Sequence, residues 1–118
     1  MMKSRESLAL LVILGLGSIG LFLGWSQFWF LTDDAFIAFR YISNSQLGHG
    51  YVWNPPPFFP VEGYTSFLWV ALLDRIWSLT GIEPPDSANW VSLFFAWASL
   101  SLTVFVVSRI KWPDSSSV

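Results

Sequence analysis

The chain has 118 residues, of which 53% are hydrophobic and 12% are charged, about half of the roughly 25% charged share typical of a soluble domain. A formal net charge of −2 with no basic stripe sets nucleic acid aside as a partner. With no cysteine there is neither a disulfide framework nor a thiolate metal site, and the single histidine, His49, excludes a multi-histidine metal cluster. The composition is that of a membrane chain, and eight tryptophans with eleven phenylalanines fit the aromatic belts that form where lipid tails meet headgroups.

Residues 1–7 read as a cytoplasmic N-terminus carrying Lys3 and Arg5. No charge follows between Glu6 and Asp33, and residues 8–31 are long enough to cross a bilayer, which takes about 20 apolar residues. A signal peptide would have an apolar core of about 7–15 residues and a small-residue cleavage site. This run is longer and closes on SQFWFL, so it reads as an uncleaved anchor with Trp25, Trp29 and Phe30 at the outer interface. Residues 32–63 then form an extracytoplasmic loop. Its first part reads as a helix to about Gln46: Thr32 can cap, Asp33 and Asp34 occupy the first turn, and Phe36, Phe39 and Ile42 recur on one side. Such a helix fits the membrane surface. Gly48 and Gly50 end it, and YVWNPPPFFPVEGYT has too many prolines for a helix or a central strand, which leaves an extended, partly polyproline loop.

Residues 64–80 form a second, short hydrophobic helix interrupted by Asp74 and Arg75, charges that suggest a structural pair, contact with other helices, or an end near the cytoplasmic face. TGIEPPDS reads as a short turn. Residues 87–108 are free of charge and form a convincing span, and 109–118 are a polar tail. The expected fold is therefore an all-α integral membrane protein with about three hydrophobic helices, an amphipathic surface helix, and a Pro-rich outer loop between the first and second. If the second and third hydrophobic segments both cross, Arg109 and Lys111 end outside, against the positive-inside tendency. A re-entrant second segment, an overridden bias or a reversed first orientation would each resolve the conflict.

Side chains able to do chemistry gather in the outer loop: Asp33, Asp34, Arg40, His49 and Glu62, with Asn44, Asn54 and Tyr64 as polar neighbours. Helical offsets of three, four and seven put Asp33, Ile37, Arg40, Tyr41 and Asn44 roughly on one face. A carboxylate that accepts a hydroxyl proton and an arginine that grips phosphate could then meet one ligand. Structural explanations compete with each. Acidic residues in a first turn complement the helix dipole, Arg40 can pair with Asp33 or reach to headgroups, His49 lies between two glycines as loop residues do, Glu62 beside Gly63 can mark a turn, and a PPP run is commonly a stiff connector. Spacing alone does not favour a site over these.

The order of the motifs carries more. The string TDDAFIAFRYISNSQLGHGYVWNPPPFFPVEGYTSFLW resembles the first outer loop of membrane glycosyltransferases of the GT-C fold, closest to the branch of the terminal arabinofuranosyltransferases. The pieces stand as Asp33–Asp34–Ala35–Phe36–Ile37, Phe39–Arg40–Tyr41, Asn44, Gly48–His49–Gly50, Val52–Trp53–Asn54–Pro55 and Val61–Glu62–Gly63–Tyr64–Thr65 with Leu68–Trp69. The resemblance implies a multi-pass protein of a bacterial cytoplasmic membrane, with the DD loop outside. It implies transfer of a sugar, arabinofuranose in that branch, from a polyprenyl-phosphate-linked donor to a glycan, lipid or protein acceptor of the cell envelope. It places Asp33 or Asp34 at the active centre as the base. Arg40, Glu62, His49, Asn54 and Tyr64 become substrate-binding candidates, with Arg40 for the donor phosphate or for fixing an aspartate. No metal ligand is assigned, and two aspartates are too few to argue for a divalent ion.

PPPFFP departs from the short glycine-rich or acidic turn usual in that branch, and the family's further helices are not in these 118 residues, so the chain is expected to be an N-terminal part, inactive alone. The competing expectation is a small non-enzymatic accessory membrane protein that packs against other transmembrane helices.

Overall fold

The computed structural model describes residues 4–59, 61 and 63–110. They are all-helical in their regular structure, with no strand among the described residues: α1 Ser4–Gln27, α2 Asp33–Gln46, α3 Phe67–Thr80 and α4 Pro84–Arg109. Two helices are long and apolar enough to cross a membrane, Glu6–Gln27 of α1 and Pro84–Arg109 of α4. At 1.5 Å per residue each exceeds the roughly 30 Å hydrocarbon thickness.

The chain divides into two compact units, Met1–Phe28 with Ser92–Val118, and Trp29–Val91. In the first, α1 packs on the later turns of α4. Leu100 fills the space beside Gly17, where an added Cβ would lie 2.9 Å from its Cδ2, and Trp97 Nε1 donates to Ser18 Oγ at 3.1 Å. Ser18 Oγ in turn donates to the Leu14 carbonyl at 2.7 Å, so the polar contact closes within the helix pair.

In the second unit the core is Ala38, Phe39, Tyr41 and Ile42 of α2, Val70 and Leu73 of α3, and Ala88 of α4. Val70 and Leu73 lie three residues apart on one face of α3, as Ala38 and Ile42 do at four on α2, so two helical stripes bury each other. Leu31 packs against this core and Trp29 meets Trp90 edge-on at 5.8 Å, which draws the chain out of helical geometry after Gln27, earlier than the span expected to run to residue 31.

The helix ends follow local chemistry. Thr32 holds the N-cap position of α2, but its side chain makes no cap bond, and its carbonyl receives the Ala35 N–H at 3.0 Å. At the other end His49 N–H reaches the Asn44 carbonyl at 2.9 Å and Gly48 N–H the Ser45 carbonyl at 3.0 Å. With Gly48 at φ +85° this is a Schellman cap, which needs the left-handed conformation that glycine adopts freely. Gly81, at φ +75°, closes α3 by donating to the Trp77 carbonyl at 2.8 Å. The expected turn TGIEPPDS is shorter than read, because α4 begins at Pro84. The first-turn N–H groups have no helical partner, so prolines there forfeit no bond.

Leu73→Ala is expected to lower the stability of the α2–α3 core by about 2–5 kcal/mol, seen as a lower thermal transition of the detergent-solubilised protein. Leu68→Ala, at a position 83% exposed, should leave the transition nearly unmoved.

Candidate functional site

The loop between α2 and α3 is held by side chains of α2. Arg40 Nε donates to the Trp53 carbonyl at 2.9 Å and Nη2 to Asn54 Oδ1 at 3.4 Å, while the guanidinium carbon lies 4.4 Å from the centre of the Trp53 ring, a cation–π stack. Buried Asn44 donates through Nδ2 to the carbonyls of Val52 at 2.7 Å and Trp53 at 3.0 Å, using both amide hydrogens. Tyr41 Oη donates to the Val61 carbonyl at 2.6 Å. Around that hydroxyl the chain passes close: a Cβ on Gly63 would lie 3.0 Å from it, and the Tyr64 ring meets the Tyr41 ring edge-on at 4.4 Å and stacks with Phe67. Arg40, Tyr41, Asn44, Asn54, Gly63 and Tyr64 are thus brought together as a clamp on the loop.

Asp33 and Asp34 are not part of it. Both are exposed in the first turn of α2, and among the described residues neither carboxylate has a hydrogen-bond or ion-pair partner. Arg40 does not pair with Asp33, because its donors are aimed at Trp53 and Asn54. Two helical turns separate the two residues, about 10 Å along the axis, so a ligand reaching both must span that gap. His49 is the residue after the cap glycine; its backbone closes the helix, and its side chain is exposed. Glu62 lies outside the described residues. Among the described residues no group of three or more acidic or histidine side chains lies together as a metal site would.

A second polar cluster centres on Asp74. Its carboxylate accepts from Gln46 Nε2 and Tyr51 Oη and from Ser45 Oγ at 3.4 Å, and Gln46 Nε2 also reaches Ser78 Oγ at 2.7 Å. The carboxylate therefore serves α2 and the loop, which answers the alternatives open for Asp74 in favour of contact with another helix. The available signal was register: Asp74 is four residues beyond buried Val70, hence on the face of α3 turned to α2. Burial, then the hydrogen bond and the negative charge of Asp74, raise the Tyr51 phenol above its ordinary value of 10.0.

Comparison of the chain with protein-family models, with curated proteins and with solved structures gives no match.

Two outcomes follow from this geometry. Asn44→Ala should leave the Val52 carbonyl without a donor and the Trp53 carbonyl with Arg40 alone, at a cost of about 1–3 kcal/mol, and limited proteolysis between Tyr51 and Val61 should speed up, with Asn44→Asp failing to restore protection because a carboxylate donates nothing. For Tyr51, a raised value means the folded chain keeps a proton that the unfolded chain releases. Its contribution to stability is full below pH 10.0 and lost as pH rises through the folded value. Tyrosinate absorbance of the Tyr51→Phe variant should lose a phenol transition that lies above 10.0, and Asp74→Asn should bring that transition back toward 10.0.

Proposed function

We propose that this chain carries the acceptor-activating carboxylates of a membrane glycosyltransferase of the GT-C kind, with α1 and α4 crossing a bacterial cytoplasmic membrane and Asp33 and Asp34 on its outer side. One observation carries the reading: Arg40, Tyr41, Asn44 and Tyr64 of the linked motifs hold the loop, whereas the two aspartates that head the set have no partner among the described residues. Charged groups with no structural partner, fixed at the start of a helix whose other turns are tied down, are available for chemistry.

In the proposed reaction one carboxylate takes the proton of an acceptor hydroxyl. The acceptor oxygen forms its bond to the anomeric carbon of a polyprenyl-phosphate-linked sugar as the bond from that carbon to the phosphate oxygen breaks, and polyprenyl phosphate leaves with the electron pair. Arabinofuranose is the sugar of the branch that the motifs resemble. Arg40 would steady the loop beside the donor and offer its remaining N–H groups to the phosphate. In membranes containing the full-length protein, Asp33→Asn or Asp34→Asn should lower transfer from a polyprenyl-phosphate-linked sugar by about 10²–10⁴-fold, the usual contribution of a general base, with membrane insertion unchanged. Wild-type turnover in both variants would sink the assignment.

A second reading, an accessory protein that binds other transmembrane helices, is favoured by a groove of about 310 Å³ on the α1–α4 pair, lined in part by Gly20, Gly24, Ser92 and Ala96. Small residues let helix backbones approach closely within a membrane. On that reading Gly24→Leu abolishes co-purification with a helical partner, and substitutions at Asp33 and Asp34 do not.

A further inference from the structure

The tip of the clamped loop presents large apolar side chains outward: Phe58 is 67% exposed and Phe59 90%. Its base is fixed by the hydrogen bonds of Arg40 and Asn44 to Val52 and Trp53 on one side and of Tyr41 to Val61 on the other, and neither Phe58 nor Phe59 packs on the α2–α3 core. We propose that residues 55–59 form a lipid-interface wedge, with Phe58 and Phe59 seated among the headgroups and upper acyl chains of the bilayer. The proposal rests on the reading that α1 and α4 cross that bilayer, but not on glycosyl transfer.

Three features of the tip select lipid over a protein partner. No charged residue stands between Arg40 and Glu62, so no cation or carboxylate has to be dehydrated as the tip enters. Pro55, Pro56 and Pro57 have no N–H, and the Phe58 N–H is donated to the Pro55 carbonyl at 3.3 Å. The Phe59 amide is then the one donor of the tip without a partner among the described residues, and unsatisfied backbone donors are what normally bar a loop from lipid. A protein partner would instead be recognised through about one hydrogen bond per 100–200 Å² of interface, and a tip nearly devoid of donors has little to offer it. The remaining carbonyls suit the hydrated headgroup boundary, where aromatic rings concentrate.

The chain has no cysteine, so a single introduced thiol carries an environment-sensitive fluorophore without background. Phe59→Cys, His49→Cys and Leu16→Cys are labelled separately in the protein reconstituted into nanodiscs of phosphatidylcholine and phosphatidylglycerol, then exposed to lipid-borne nitroxide or to aqueous iodide. The label at Phe59 should lose most of its emission to lipid nitroxide and little to iodide, with the label at His49 showing the reverse. Quenching at Phe59 by iodide and not by nitroxide would overturn the wedge, and protection from both would overturn it in favour of a protein cover. Leu16, exposed midway along α1, separates the two levels of failure: lipid quenching there with an aqueous Phe59 defeats the wedge alone, whereas iodide quenching at Leu16 defeats the membrane reading itself.

Discussion

A proline-rich loop carries more hydrogen-bond acceptors than donors, and the unit formed by residues 29–91 depends on how that imbalance is met. Every proline removes an N–H and keeps its C=O, so turn bonds such as Phe58 N–H to the Pro55 carbonyl satisfy only part of the loop. Nor can the backbone of α2 help, since its N–H groups are committed within the helix. Donors must come from side chains, and α2 supplies three kinds within little more than one turn: the guanidinium of Arg40, the phenol of Tyr41 and the carboxamide of Asn44. Carbonyls left without a donor in such a setting cost about 1–3 kcal/mol each, a large share of the margin by which a small domain stays folded.

Asp74 meets the opposite need. It interrupts an apolar helix with an acceptor, and the hydroxyls and amide aimed at it come from the end of α2 and from Tyr51 in the loop. The loop is therefore tied from two sides by groups of complementary character: donors on α2 hold its carbonyls, and an acceptor on α3 holds one of its hydroxyls. Between them Ile42, Val70 and Leu73 are wholly buried, so helix packing and loop order support each other. Loosening the Asp74 cluster exposes the same interface that positions Asn44 and Tyr41.

What the sequence made legible was local. Charge-free runs marked α1 and α4, the Thr32–Asp33–Asp34 start and the glycines after Gln46 framed α2, and the prolines announced the loop. Boundaries slipped where tertiary contacts intervene. Tyr64 is held against Tyr41 and Phe67, so α3 starts at Phe67 and not at Tyr64, and Pro84 opens α4 instead of ending a turn. In the candidate site, helical spacing offers Arg40 a carboxylate on its own helix as one partner, beside lipid headgroups or a donor phosphate. Its actual partners, Trp53 and Asn54, are set by chain reversal at Gly48 and Gly50, which no local pattern reports. Asp74 was seen as a neighbour of Arg75, although its ligands lie on α2 and in the loop.

Scaffold and binding roles are not exclusive at Arg40, and the donor inventory shows why. A guanidinium carries five N–H groups in a fixed fork, and two are directed at Trp53 and Asn54. The others are unspent on an exposed residue whose orientation is already fixed by those bonds and by the Trp53 ring. An anion bound there meets a cation that has no rotamer freedom left to lose, which favours a preorganised contact. Asn44 and Tyr41 have no such surplus. Both are buried, both amide hydrogens of Asn44 and the one phenolic hydrogen of Tyr41 are consumed, and a ligand could engage either donor only by releasing the loop. Among the three side chains of α2 that hold the loop, then, Arg40 alone has donors to spare for a ligand.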